Sequence, residues 1–232
     1  MPKRRRRKRV LRLLIVGVAV LLLAAVGVWL TFQHIPAWYR PIQVPAVYHQ
    51  RVRDDLTTTL NTLSSKMVAG EPFDHTFTQD QLNRWLGARM AIWPGVSRWV
   101  PQWLDEPMIG FRDDRIVIAG LVERATVRTI ASLHLTLTAD DDGLRVTVHR
   151  AQAGSLPMPL EPWREDIATA LDHAQTGREP TRRITADHLF GLAELPNRFV
   201  WFNGKVPFRI TEITTETDRI RMHFVPEPNQ RR

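Results

Sequence analysis

The clearest pattern of polar and apolar positions lies in the first 32 residues. Residues 3–9 form an unbroken basic run, and the 18 residues from Leu13 to Leu30 carry no charge. A helix of that length reaches about 27 Å at roughly 1.5 Å per residue, close to the ~30 Å hydrocarbon core of a bilayer. The pattern predicts one transmembrane helix within residues 10–32.

The same segment predicts how the chain is oriented. Its apolar part is longer than the roughly 7–15 residues of a cleavable signal, and residues 30–37 show no convincing cleavage pattern. We therefore expect an uncleaved anchor in the inner, cytoplasmic membrane, with cleavage as the alternative. The positive-inside rule makes residues 1–9 a basic cytoplasmic tip and places everything after Ile35 outside the cytoplasm.

Helical spacing follows a proline-rich segment, residues 33–45, which predicts a semi-rigid extended stalk. One apolar stripe then recurs every three to five residues, at Val47, Val52, Leu56, Leu60, Leu63 and Met67. Gly70 and Pro72 predict its end. Thr78 and Gln81 match a capping box, which predicts a further helix from Gln79 to about Arg89.

From residue 107 the period changes to two, which predicts antiparallel hairpins. The expected cross-strand pairs are Ile109 with Ile118, Phe111 with Ile116, Leu135 with Val148, and Leu137 with Val146. Asn203-Gly204 predicts a tight turn that pairs Phe199 with Phe208 and Trp201 with Val206. Alternation at Ile220, Met222 and Phe224 predicts the last strand.

A further helical stripe, at Leu160, Trp163, Ile167 and Leu171, separates the two β regions. This order predicts an α+β fold, in which a transmembrane helix precedes a curved antiparallel sheet packed around one or two long helices. The extracytoplasmic domain spans residues 46–226, and residues 227–232 form a tail.

Tryptophan is concentrated between the second helix and the first hairpin. Trp85, Trp93, Trp99 and Trp103 fall within 19 residues. Ordinary core packing is one interpretation. The alternative is a membrane-interface segment or lid over an apolar groove, formed by Trp93, Trp99 and Trp103.

Charge restricts the range of partners. The chain has 32 Lys and Arg against 24 Asp and Glu, a net charge of +8, and eight of the basic residues lie in residues 3–12. The remainder balances at 24 against 24, so we expect no binding to nucleic acid, which needs clustered cations. Cysteine is absent, which excludes disulfide and thiol chemistry.

No catalytic or cofactor motif is visible, so we expect neither an enzyme nor a cofactor. The acidic turn from Asp140 to Gly143 lacks the ligand spacing of a calcium loop. The predicted register places His134 opposite His149, but no third ligand accompanies them. We interpret them as part of a solvated polar face and expect no metal site.

Two short motifs follow the anchor: Phe-Thr-Gln-Asp-Gln-Leu-Asn-Arg-Trp-Leu at residues 77–86, and Gly-Ser-Leu-Pro-Met-Pro at residues 154–159. With the anchor, this arrangement resembles bacterial single-span proteins carrying TULIP-like or AsmA-like extracytoplasmic lipid-binding domains. The resemblance covers roughly residues 46–176. It implies a curved sheet that wraps a long helix and encloses an apolar groove for acyl chains.

The resemblance implies a domain that binds or helps to move a lipid or another apolar envelope molecule, with membrane lipids as partners. The two apolar stripes should face each other across the groove, which is lined by Val52, Leu56, Leu60, Leu63, Leu133, Leu135, Leu137, Val146 and Val148. If side chains fill this space, it is only a core. The alternative function is a non-enzymatic structural or assembly protein that docks another envelope protein.

Overall fold

A computed structural model describes residues 3–93, 104–112, 114–124, 127–140, 143–159, 165, 169, 185–189, 195–201 and 206–227. The fold is α+β, as the sequence predicts, with one N-terminal apolar helix and antiparallel sheets. Outside the described residues lie the stripe of the predicted third helix (Leu160, Trp163, Ile167 and Leu171), the Asn203-Gly204 turn, Trp99 and Trp103.

The helices are α1 (Lys3–Phe32), α2 (His49–Ala69), α3 (Gln79–Ile92) and the short α4 (Ala186–Leu189), and a 3-10 turn at Ala46–Tyr48 precedes α2. The strands up to the first long gap are β1 (Phe73–Thr78), β2 (Leu104–Arg112), β3 (Arg115–Arg124), β4 (Val127–Ala139), β5 (Gly143–Ala153) and β6 (Leu156–Met158). The C-terminal strands are β7 (Leu195–Pro196), β8 (Phe199–Val200), β9 (Pro207–Glu216) and β10 (Arg219–Pro226).

The strands form two sheets. The six-stranded sheet has the order β2-β3-β4-β5-β6, with β7 paired to β5, and every neighbour is antiparallel. The four-stranded sheet has the order β1-β10-β9-β8. Its first pair joins distant parts of the chain, because Phe73 lies opposite Phe224 and Phe77 opposite Ile220. Local periodicity gives no sign of this pairing.

Both predicted helix boundaries are confirmed by their caps. Gly70 ends α2 in the left-handed region, at φ 79°, which glycine adopts without strain. Thr78 caps α3, and its side chain accepts a hydrogen bond from the Gln81 amide. The Gln81 side chain does not return the bond to the cap, and instead donates to Thr59 Oγ1 of α2 at 3.2 Å.

The predicted hairpin registers are confirmed where alternation sets them. Ile109 pairs with Ile118, Leu135 with Val148, and Phe199 with Phe208. The expectation that His134 faces His149 is wrong. The register of β4 and β5 shifts between His134 and Leu135, so His134 pairs with Arg150. A bulge inserts one residue into one strand, and no hydrophobic pattern marks its position.

Helix α3 packs on the edge strand β2 through two polar side chains. Asn83 is buried, donates from Nδ2 to the Ile109 carbonyl at 2.7 Å, and accepts from the Ile109 amide at 2.8 Å. Gln79 Oε1 accepts from the Phe111 amide at 2.7 Å. These bonds satisfy backbone groups that an edge strand otherwise leaves to water.

The apolar helix α1 ends against the six-stranded sheet. Its segment Leu14–Phe32 has a mean hydropathy of 2.6 and is unburied, which makes it a candidate transmembrane or signal-anchor segment. The Phe32 carbonyl accepts from Thr129 Oγ1 at 2.6 Å, and the Thr31 carbonyl accepts from the Ser155 amide at 3.0 Å. The domain thereby provides partners for the carbonyls that a helix C-terminus leaves unsatisfied.

The segment after α1 also lies on this sheet. Tyr39 is 8% exposed, packs with Met108, Leu121 and other buried residues, and donates from its hydroxyl to the Glu106 carbonyl at 2.7 Å. Gln43 Nε2 donates to Glu106 Oε1 at 2.6 Å. The predicted stalk, residues 33–45, is therefore attached to the domain, because its aromatic residues find an apolar surface there.

Two further clusters of buried residues lie on one face of the four-stranded sheet. At one end of this face, Leu63 and Met67 of α2 pack with Phe208, Phe224 and Trp201. At the other end, Ile220 packs with Leu135, Val146, Ile116 and Phe111 of the six-stranded sheet. Phe77 and Met222 border both clusters. The same sheet face thus connects α2 to the six-stranded sheet.

Candidate functional site

An open apolar hollow of about 250 Å³ lies where α3 and the two sheets meet. Its lining is drawn from six elements and is apolar throughout: Phe77, Leu82, Ile109, Phe111, Ile116, Leu137, Ile220 and Met222. We call it the acyl hollow. Pockets for apolar ligands are lined mainly by such side chains.

The walls of the acyl hollow are set by features already described. The two bonds of Asn83 to Ile109 fix the neighbouring Leu82 over β2. The pairing of β1 with β10 brings Phe77 opposite Ile220. Because side chains alternate across a strand, Ile109 and Phe111 share one face of β2 and point to the same side.

A second apolar hollow of about 130 Å³ shares Leu82 and Ile109 with the first. It is lined further by Trp85, Leu86, Arg89, Ile92 and Trp93. The Trp85 indole donates to Asp55 Oδ2 at 2.9 Å, and Arg89 Nη1 donates to the Leu86 carbonyl at 3.0 Å. The two hollows together follow the length of α3, with an indole and a guanidinium at the far end.

The residues predicted to form a groove do not meet in one place. Leu60 and Leu63 pack on the four-stranded sheet in the α2 cluster. The five β residues, Leu133, Leu135, Leu137, Val146 and Val148, belong to the other cluster. Val52 and Leu56 are buried, along a helix that is hydrogen-bonded to α3. Of the nine, Leu137 lines the acyl hollow, and of the three lid tryptophans, Trp93 lines the second hollow.

Most lining residues were not predicted as site residues, although their strands were. Alternation identifies Ile109, Phe111 and Ile116 as facing one side of a hairpin. It cannot show that Leu82 lies above them, because that contact depends on polar bonds between Asn83 and a distant backbone.

Titratable groups are sparse near the acyl hollow. The His75 ring lies 4.5 Å from the Phe77 ring, and its Nε2 is buried without a hydrogen-bond partner in the described part of the chain. Burial, and then the charge of Lys66, hold the pKa of His75 below its usual value. No group of three or more metal-binding side chains occurs among the residues that the structure describes. The site is suited to apolar contact.

Comparison of the chain with protein-family models, with curated proteins and with solved structures gave no match.

Proposed function

We propose that this protein is a membrane-anchored, extracytoplasmic domain that binds part of an acyl chain of a lipid in the acyl hollow. In this proposal α1 is a single span with its basic end in the cytoplasm, as the positive-inside rule predicts. The two sheets and α3 take the place of the curved sheet and helix that the family resemblance implies. The protein acts by binding, without catalysis.

The observation that carries the proposal is the open, wholly apolar lining of the acyl hollow. Each buried methylene contributes about 0.8 kcal/mol, so six of them contribute roughly 5 kcal/mol. That gain offsets much of the cost of withdrawing the same segment from a bilayer.

The size of the site limits what it holds. At about 250 Å³ it is smaller than the roughly 300 Å³ at which ligand pockets usually begin. It therefore accommodates a segment of one chain, with the rest of the lipid outside or along the second hollow. The direction of a bound chain is set by α3, because both hollows adjoin that helix.

A second candidate function rests on the same dimensions. A shallow apolar hollow also fits one or two side chains of another envelope protein, which is the docking alternative. The two functions differ in what is recovered with the protein, since a docking domain carries no stoichiometric lipid.

The test is lipid extraction from a truncated chain that begins at Gln33 and so lacks the apolar helix. After detergent-free purification, mass spectrometry should recover close to one lipid per protein from the wild type. The variant Leu137→Trp, which extends an indole ring into the acyl hollow, should carry several-fold less. Equal recovery from both proteins, or none from either, would contradict binding in this hollow.

A further inference from the structure

A second, chemically different hollow lies on the opposite face of the six-stranded sheet. It has a volume of about 370 Å³ and is lined by Trp38, Arg112, Arg115, Val117, His134 and Arg150. We call it the arginine hollow. Because adjacent residues of a strand point to opposite faces, Arg112 and Val117 face away from Phe111 and Ile116 of the acyl hollow.

The sheet register brings the three arginines together from three strands. Arg112 of β2 lies directly opposite Arg115 of β3, and Arg150 of β5 lies directly opposite His134 of β4. Val117, two residues along β3 from Arg115, is paired with His134. The bulge beside His134 is what places Arg150, rather than His149, at this position.

Trp38 forms one wall of the arginine hollow. The Arg112 guanidinium lies 5.8 Å from its ring centroid, in cation–π contact, and the His134 ring packs edge-on at 6.2 Å. The segment that follows α1 therefore completes the hollow. A guanidinium held against an aromatic ring is ordered before a ligand arrives, which lowers the entropic cost of binding.

Among the described residues, the lining of the arginine hollow contains three cationic side chains and no acid. No salt bridge joins any of the three arginines to an acid among the described residues. Asp218 lines an adjoining hollow that shares Trp38 and Arg112, but it forms no ion pair with them. Like charges directly opposite each other on a sheet are unfavourable. A bound anion would relieve the repulsion between the three arginines.

His134 supports the same conclusion. Its Nε2 is buried and has no hydrogen-bond partner within the described ranges. Burial, and then the positive charges of Arg150, Arg115 and Arg112, hold the pKa of His134 below its usual value and favour the neutral ring, although a hydrogen bond with the Gln152 side chain acts in the opposite direction. A neutral imidazole can still donate one hydrogen bond to an anion.

We propose that the arginine hollow binds a phosphate or carboxylate group. Guanidinium groups bind such anions through paired, charge-assisted hydrogen bonds, and the hollow offers three of them with an imidazole beside them. The proposal is independent of the acyl hollow, since the two sites use opposite faces of the sheet.

The anion has two possible sources. His134 lies five residues along β4 from Thr129, where α1 docks, a distance of about 17 Å at ~3.4 Å per residue. The polar layer of a bilayer is only roughly 5–7 Å thick on each side. A dissolved anion can reach the hollow from solution. A lipid headgroup reaches it only if the lipid is drawn partly out of the bilayer, or if β4 lies parallel to the membrane surface.

The test uses the full chain in nanodiscs of phosphatidylcholine, with histidine ring signals followed by NMR. Inorganic phosphate is titrated at constant ionic strength, and His134 is assigned with His134→Gln. The His134 signal should shift saturably, and its pKa should rise, because a bound anion stabilises the imidazolium. A second arm replaces dissolved phosphate with nanodiscs containing phosphatidylglycerol.

Arg150→Gln and Arg112→Gln should each weaken phosphate binding about tenfold or more. The matched control is Arg145→Gln, which removes the same charge from the same face of β5 outside the hollow. It should change the affinity less than twofold. Circular dichroism checks that each variant is folded. Because Arg112 and Arg150 lie on different strands, the test still works if one of the two variants fails to fold.

A His134 shift with dissolved phosphate identifies a free anion as the source, and a shift with phosphatidylglycerol alone identifies a headgroup. Either result supports the site. No saturable shift in either arm, or an equal loss of affinity in Arg145→Gln, overturns it.

Discussion

Two tryptophan substitutions on one strand distinguish an open hollow from a filled core. Leu137 lines the acyl hollow, whereas Leu135, two residues away on the same face of β4, is only 7% exposed and packed among buried residues. In Leu137→Trp the indole enters space that is already present. In Leu135→Trp it must displace neighbours, which typically costs 1–3 kcal/mol.

The magnitude follows from the available space. A tryptophan at 137 buries on the order of 50 Å² of additional apolar surface, worth about 1 kcal/mol at ~25 cal/mol per Å², and ordering the larger side chain offsets part of this. The free energy of unfolding should therefore change by less than about 1 kcal/mol. In a domain of this size, 1 kcal/mol corresponds to roughly 2–4 °C in Tm.

The assay is thermal unfolding of each full-length variant, followed by far-ultraviolet circular dichroism and calorimetry. Leu137→Trp should melt within about 4 °C of the wild type, and Leu135→Trp should melt roughly 2–12 °C lower. Leu135→Met, which nearly conserves volume, is the control for disturbance of that position. If Leu137→Trp is destabilised as much as Leu135→Trp, side chains already fill the space beside Leu137 and it cannot hold an acyl chain.

Three further predictions concern the scaffold. Asn83→Ala leaves the amide and the carbonyl of Ile109 in β2 without their partners and should lower the free energy of unfolding by about 2–4 kcal/mol in a denaturant titration. The control is Asn61→Ala, which changes an exposed side chain and should alter the free energy of unfolding little. Gly154 has φ 60°, and Gly154→Ala would place a Cβ against the carbonyls that end α1, so it should detach that end of the helix. The control Gly17→Ala, whose Cβ meets open space, should not, and hydrogen exchange at the Ser155 amide reports the difference. Burial, and then Glu106, raise the pKa of Tyr39 to about 12 from 10, so the unfolded chain loses this proton at a lower pH than the folded chain does. The free energy of unfolding should therefore fall by up to roughly 3 kcal/mol between pH 10 and 12, and Tyr39→Phe should remove that part of the pH dependence.

Local patterns in the sequence predict much of the secondary structure. The α2 stripe, its stop at Gly70, the Thr78 cap and the pairing of Leu135 with Val148 are confirmed because each depends on residues close in sequence. Alternation of period two fixes which face a strand buries. It also fixes a hairpin register as long as no bulge intervenes.

The remaining features depend on contacts between distant residues. The pairing of Phe73 with Phe224 joins two ends of the domain, and nothing near either residue specifies the other. The bulge that separates His134 from His149 adds one residue without altering the apolar pattern. The sequence predicts that Tyr39 belongs to a stalk. Its burial could not be predicted, because it depends on Met108 and Leu121, about 70 to 80 positions later.

The sequence predicts that the candidate site is apolar, but it does not predict where in the fold the site lies. The sequence indicates that apolar strand faces and a helix surround an apolar space, and Leu137 and Trp93 lie beside hollows. The position of that space is set by Asn83 and Gln79, polar residues whose partners are backbone groups of β2. Side-chain hydropathy contains no information about such bonds.

The most direct test of acyl-chain binding is to map where a lipid tail contacts the full-length protein. Phosphatidylcholine with a photoreactive diazirine near the end of one chain is incorporated into nanodiscs, and cross-linked peptides are identified by mass spectrometry. If an acyl chain binds in the hollow, Leu82, Ile109 or their immediate neighbours should be labelled, in addition to the apolar helix. In Leu137→Trp the label at these positions should be lost while the label on the helix persists as an internal control. Labelling confined to the helix in the wild type would show that no acyl chain enters the hollow.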